Sequence, residues 1–564
     1  MLLLAATSLP TLAQDAGSLL REQQRQQELQ RLRRLPQPEE PGRQPALIAG
    51  PERGETIILR ELRFAGKIEL LPEAERAQLA ATVKGKRLGI AGLYALADKV
   101  TAALQRQGRL LARAVLPQQD ITEGFVTIKI VEGVFEKTDF ERGKGVRVRE
   151  GLLRAIGEGQ VQADSVTKED LEEALLRMND LPGVSARAKL TPGSAPNTTR
   201  LVVGVDEAPI FSASLWGDDY GSASTGKAQG NALVTLTDMT GFGELARLMG
   251  TFSEGQKFSE ASLSMPLGAT GLTASANYGY LDYHNIDDFG SALGLQGYAQ
   301  FAGLGLDYSL IRSRDLNVRL STGLDWKALI DDSIVGRLQD KRSLSGTLGL
   351  SGDMRDAFFG GGLTNWSLGW TYGDLDLARE GDALEVDQAG LQTQGAFHRL
   401  NASAARLQDL PGDFSLFGLV YGQWSSKNLD SSEDFSLGGP YGVRGWPVGE
   451  GRGDMGLLGT MELRYDAPVP SEFGSLQLAG LLDAGRIWIN KNQNGIPNLN
   501  VCGCNDYSLA SAGLSLRWTH EALNVSATWA YGLGKNPGRS NVTDANADGN
   551  TGNQQFWLRG AIRF

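Results

Sequence analysis

From Ile210 to the end of the chain, apolar and polar side chains alternate. Leu272, Ala274, Ala276, Tyr278 and Tyr280 fall on one face of a segment whose other face carries Thr273, Ser275 and Asn277. Leu523, Val525, Ala527, Trp529 and Tyr531 oppose Asn524, Ser526 and Thr528 in another. The final segment sets Phe556, Leu558, Gly560, Ile562 and Phe564 against Trp557, Arg559, Ala561 and Arg563. A period of two puts successive residues on opposite faces of a strand. Sixteen such segments can be marked out. Each takes about 22 residues with its connection, room enough for a tilted membrane strand of roughly 9 to 11.

A soluble β-sandwich alternates in the same way, so the connections decide. Those assigned to one side are short, such as Leu410-Pro411-Gly412 and Thr519-His520-Glu521-Ala522. Alternate ones, Asn490 to Asn505 and Lys535 to Gly552, are long and polar. Short inner turns and long outer loops are the asymmetry of an outer-membrane barrel, and in hydrocarbon only closure leaves no strand edge unpaired. The expectation is a membrane all-β fold, a 16-stranded antiparallel transmembrane β-barrel over residues 209–564, apolar toward lipid and polar toward a wet lumen.

The N-terminal part reads differently. Residues 1–13 (MLLLAATSLPTLA) are apolar and end on a small residue, the core and cleavage site of a signal peptide. The usual basic start is missing, which points to a start codon upstream; a frayed terminus is the alternative. Ser18 to Leu35 holds good helix formers with neither Gly nor Pro. Eighteen residues at about 1.5 Å each span roughly 27 Å. Arg21, Arg25, Arg31, Arg33 and Arg34 forbid lipid contact, so this helix must sit in solvent, bind a partner or occupy a water-filled channel. Pro36, Pro38, Pro41, Pro45 and Pro51 then make a semi-rigid Pro-rich linker over 36–55.

Composition narrows the classes. Glycine accounts for 72 of 564 residues, nearly twice the roughly 7% of an average protein, without a collagen period. A formal charge of −11 argues against a broadly basic nucleic-acid binder. Two cysteines exclude a disulfide-built scaffold. No apolar run reaches the length of a membrane-spanning helix.

Between linker and barrel lie two small units. Ile57 to Glu132 reads as a strand (IILRELRF), helices over Glu73–Val83 and Tyr94–Gln107, then strands in LLARAVLP and FVTIKIVEG. Phe135 to Glu207 repeats this β-α-α-β-β order with a short strand, helices over Glu150–Ile156 and Lys168–Met178, and strands in VSARAKLTP and TRLVVGVDE. Tandem copies suggest a repeated docking module. The strings AVLPQQDITEGFVTIKIVEG (Ala114 to Gly133) and LLRMNDLPGVSARAKLTPG (Leu175 to Gly193) closely resemble the two POTRA domains of two-partner secretion (type Vb) transporters, the hemolysin-activator and filamentous-hemagglutinin-transporter family. The resemblance covers nearly the whole chain. It implies POTRA 1 over 56–133, POTRA 2 over 134–208 and an N-terminal plug helix over 15–35.

A loop over 428–453, between the eleventh and twelfth segments, contains Val443, Arg444, Gly445 and Trp446. This resembles the tip of the family's lumen-inserted loop, with Trp in place of the usual Tyr or Phe. Glu450, Gly453 and Asp454 fit the flanking pattern. In SLQLAGLLDAGRIW, Leu476, Leu478 and Leu482 share the lipid parity, which sends Gln477 and Asp483 inward; Asp483 and Gly485 match the family's D-x-G strand motif. Arg444 is therefore expected to pair with Asp483, with Glu462, on the lumen parity of Thr460 and Arg464, as a second candidate. A terminal Phe564 resembles the signal for barrel insertion.

Other motifs fail on inspection. The stretch from Gly221 to Gly226 and Lys227 imitates a phosphate loop, but Ala228 stands where Ser or Thr should hold magnesium. Gly451, Gly453 and Gly456 imitate a dinucleotide fingerprint without its strand and helix. His284, His398 and His520 are too scattered for a triad or a metal site. Asp544, Asn546 and Asp548 resemble half a calcium loop, with Gln555 where the bidentate Glu belongs. Cys502 and Cys504 sit in an outer loop, where export permits a disulfide.

The resemblance implies a secretion pore with porin activity and no enzymatic activity, cofactor, metal or nucleotide. Its partners would be a secreted protein of hemolysin or adhesin type bearing an N-terminal secretion domain, outer-membrane lipid, and the barrel-assembly machinery and periplasmic chaperones during biogenesis. A barrel-assembly factor of the same superfamily and a plugged porin are the rivals.

Overall fold

Each of the sixteen alternating segments finds two antiparallel neighbours. The strands run from Phe211–Asp218 to Gln554–Arg563 and close on each other as one barrel. The computed structural model describes residues 14–33, 56–109, 111–160, 167–195 and 198–564; the expected signal and Pro-rich linker lie outside the described residues. Alternation sorts the side chains as a membrane barrel requires. In the strand Gln296–Arg312, Leu304 is 63% exposed on the outer face and Leu306 follows it, while Gly303 and Gly305 face inward. Trp529 and Phe556 point outward and Ala530 and Trp557 inward. Among the described residues no helix is long and apolar enough to cross a membrane.

The first N-terminal unit is a three-stranded sheet ordered Glu61–Gly66, Phe125–Glu132, Ala112–Val115, the first pair parallel and the second antiparallel. Helices Glu73–Val83 and Ile90–Arg106 cover it. Leu96 and Val100 pack on Val126, Ile128 and Ile130, the alternate residues of FVTIKIVEG. The expected opening strand is broken in two: Thr56–Ile58 pairs instead with Arg87–Gly89, a three-residue strand too short to show a period. The second helix begins at Ile90, four residues before the expected Tyr94, because Gly89 is extended and ends that short strand.

The second unit repeats the order: Val134–Arg142, helices Glu150–Gln160 and Lys168–Asn179, then Val184–Pro192 and Thr198–Glu207. Its opening strand has nine residues and is not short. Thr167 and Asp170 form a capping box on the second helix.

This unit is clamped to the barrel's short turns. Arg312 donates to both oxygens of Asp180, at 2.8 and 2.7 Å. Arg177 donates to the Thr270 carbonyl at 2.7 Å, and the Arg149 guanidinium lies 3.8 Å from the centroid of the Phe242 ring.

Candidate functional site: the occupied lumen

The lumen holds a helix, Ala16–Arg33, inside the 15–35 span expected for the plug and two residues ahead of the Ser18 that opens the stretch of helix formers. Its first turn is fastened from three directions. The Ala16 N–H donates to Asp331 Oδ1 at 2.8 Å. Asp15 accepts from the Ser18 N–H at 2.8 Å and from the Ser431 hydroxyl at 2.7 Å. Lys341 ties Asp15 to Asp430. The helix is less uniformly polar than its composition suggests: Ala16, Leu19 and Leu20 pack on Phe258, Leu281, Tyr283 and Phe301, and Leu29 on Phe417, Tyr421 and Leu458. The wall supplies apolar patches where the helix has leucines.

Arg21 and Arg25 are buried against the loop between strands Phe414–Ser425 and Met455–Ala467. Arg25 pairs with Glu22 and donates to the carbonyls of Ser436 and Gly438 at 3.2 and 2.8 Å. Arg21 donates to the Asp434 carbonyl at 3.0 Å. Helix and loop therefore form one body inside the barrel.

The loop turns inward at a two-residue ladder, Phe435–Ser436 with Arg452–Gly453. Its base is held by Glu433, which receives Lys327 at 2.6 Å and also Arg399. Asp454 accepts backbone N–H groups from Leu429 at 2.7 Å and from Lys491 in the next outer loop at 2.5 Å. Glu450 accepts the Ala547 N–H at 2.8 Å. A Cβ at Gly453 would stand 2.4 Å from the Trp488 carbonyl oxygen, so only glycine fits there. Val443 donates to the Leu437 carbonyl at 2.8 Å and tightens the tip.

At the tip, Arg444 Nε and Nη2 donate to Asp483 Oδ2 and Oδ1 at 2.9 and 2.7 Å, and Nη1 donates to Glu462 Oε1 at 2.5 Å. Arg444 and Asp483 are each 2% exposed and Glu462 is fully buried. Asp483 also accepts from the Arg444 N–H and the hydroxyls of Thr460 and Ser511, between 3.0 and 3.1 Å, so its oxygens are fully engaged. Forked guanidinium–carboxylate bonding shielded from water is strong only when every lone pair is met, as it is at Asp483. Glu462 collects three more guanidiniums, from Arg33 of the helix at 3.1 Å, Arg464 at 2.8 Å and Arg517 at 2.9 Å. One carboxylate thus joins helix, loop and wall.

Gly485 lies two residues from Asp483 and makes room for the loop: a Cβ there would come within 2.4 Å of Leu437 Cδ2. Gly445 is similarly confined, its Cβ position 2.5 Å from the Gly532 nitrogen. Trp446 is buried, donates its indole N–H to the Ala510 carbonyl at 3.1 Å and lies against Gly532. Sequence reasoning missed Arg33, Ser511 and Arg517 as partners in this cluster. The signal available for the last two was lumen parity on the strand paired with that of Asp483; for Arg33 there was none.

Cys502 and Cys504 are joined as a disulfide in the outer loop. Phe564, 68% exposed, ends the last strand, exchanging backbone bonds with Ala213 at 2.9 and 3.2 Å. The phosphate-loop and calcium-loop look-alikes meet each other: Lys227 pairs with Asp548 at 3.0 Å. The Asn546 amide donates to the Gly552 carbonyl and accepts from Asn536.

A family model described as haemolysin secretion/activation protein ShlB/FhaC/HecB matches residues 197–518, and one described as POTRA domain, ShlB-type, matches residues 57–133. The heme/hemopexin transporter protein HuxB of Haemophilus influenzae is 26% identical over 490 residues, covering 86% of this chain and 83% of that protein. The outer membrane transporter CdiB of Escherichia coli is 25% identical over 465 residues, covering 80% and 75%. The solved structure of CdiB from Escherichia coli shares the fold with a TM-score of 0.69 at 22% identity, covering 98% of this chain and 100% of that one.

Proposed function

This chain belongs to the haemolysin secretion/activation family ShlB/FhaC/HecB, and from that premise we propose how its pore is held shut and opened. It is a two-partner secretion transporter of the outer membrane, a pore that exports a partner protein, with its POTRA region on the periplasmic side. Its relatives are transporters, not enzymes.

The partner arrives unfolded and docks its N-terminal secretion domain by adding a strand to a free sheet edge. The sheet edges are Glu61–Gly66 and Ala112–Val115 in the first unit and Val134–Arg142 and Val184–Pro192 in the second. Helix Ala16–Arg33 then leaves the lumen, the chain passes through extended, and folding outside gives direction without nucleotide. Before any of this, the barrel-assembly machinery and periplasmic chaperones bring the chain to the membrane and recognise the strand ending at Phe564.

The observation that carries the reading is Glu462, whose carboxylate binds Arg33 of the helix and Arg444 of the loop together. Withdrawal of the helix therefore frees the loop tip from Glu462, while the base of the loop stays held to the wall through Glu433. Planar-bilayer recordings test this: the full chain should stay mostly closed, and deletion of residues 14–33 should give a steady open current. Equal conductance with and without the helix would defeat the plug.

A further inference from the structure

The barrel closes on its weakest ladder. The last strand, Gln554–Arg563, faces the first, Phe211–Asp218, in register from Arg559 opposite Asp218 down to Arg563 opposite Ser214, and Phe564 adds one more pair with Ala213. Its other edge runs in register from Tyr531 opposite Gln554 down to Leu523 opposite Ile562. Above Leu558, which exchanges bonds with Asp219, the last strand has no first-strand backbone partner because the first strand has ended.

Trp557 stands at that point, facing inward and 5% exposed. Its indole N–H donates to the Arg444 carbonyl at 2.8 Å. Its ring meets Tyr220, just past the end of the first strand, edge-on at 6.0 Å, and Tyr220 in turn meets Tyr441 of the loop at 5.7 Å. Farther out, Lys227 and Asp548 bridge the loops that flank the same gap. The loop tip thus touches both sides of the opening that the ladder leaves.

We propose that Trp557 is a positioning residue that seats the tip of the lumen loop and, through Tyr220 and Tyr441, holds the outer half of the barrel's closing seam shut. This rests on the loop being seated at rest, as in the function proposed above, and it assigns closure of the seam's outer half to contacts of Trp557 and Tyr220 with the loop and not to backbone pairing. An indole N–H on a carbonyl, with aromatic edges on either side, supplies a directional bond where strand pairing is missing.

Hydrogen–deuterium exchange on the full-length resting transporter in nanodiscs, with no partner protein present, tests it independently of secretion. Trp557→Phe keeps an aromatic ring and removes the donor. It should raise exchange about tenfold at residues 212–219 and 554–560 and loosen residues 440–448, leaving the ladder between Leu316–Ser333 and Gly336–Asp356 unchanged. Resting single-channel records should gain brief openings at unchanged thermal stability, which packing loss alone does not produce. Tyr220→Leu should loosen the same seam, and serves if Trp557→Phe does not fold. Parent-level exchange at the seam in a folded variant overturns the proposal, as does a loosened loop over an unchanged seam.

Discussion

The indole of Trp446 lies against Gly532 so closely that a Cβ at Gly532 would stand 2.4 Å from ring atom Cζ2. The same edge of the ring is tied to the wall by its N–H bond to the Ala510 carbonyl, which a retreat from Gly532 would stretch. Gly532→Ala should therefore weaken the loop's seat by about 1 to 3 kcal/mol, the usual cost of overfilling a packed site. Gly560→Ala is the control, because nothing lies within 4 Å of an added Cβ there. Hydrogen exchange of residues 440–448 should rise in the first variant and stay at the parent level in the second.

Breaking the Arg444–Asp483 pair leaves a buried charge without its partner, at a cost of roughly 3 to 5 kcal/mol. Arg444→Asp and Asp483→Arg should each abolish secretion, and the double exchange should restore part of it. Full rescue is not expected, since Glu462 would then face a carboxylate at the position from which it now receives the Arg444 guanidinium at 2.5 Å. No rescue at all would count against the pairing as the anchor.

Asp180 and Arg312 fix the second periplasmic unit to the barrel through a forked bond, but both are partly exposed. Solvent screening limits such a pair to about 0 to 1 kcal/mol. Spin-label distances between this unit and the barrel should broaden modestly in Asp180→Ala and Arg312→Ala, with a coupling that shrinks in concentrated salt. A distribution unchanged in both variants would assign the clamp to Arg149 and Arg177 alone.

The barrel and the inward direction of Asp483 were legible because a period of two survives any tertiary context: Leu476, Leu478 and Leu482 need lipid, so Asp483 faces the lumen. The two α+β units were legible down to most boundaries, except where three residues, Arg87 to Gly89, pair too briefly to leave a pattern. What sequence could not show was contact between distant segments. Gly532 has no side chain to announce that it receives Trp446. Lys227 and Asp548 each looked like part of a ligand loop, and their shared meaning lies in meeting each other across more than three hundred residues. Arg21 and Arg25 were barred from lipid by their charge, but the carbonyls that receive them belong to a loop over four hundred residues away.

The most direct test of helix withdrawal is a reversible lock. A Cβ built at Gly17 lies 3.1 Å from Ser432 Cβ, near the span of a disulfide. A Gly17→Cys, Ser432→Cys transporter, expressed with its secreted partner, should export nothing when oxidised and regain export on reduction, with the parent chain unaffected by either treatment. Export at the parent rate from a fully cross-linked transporter would contradict the account.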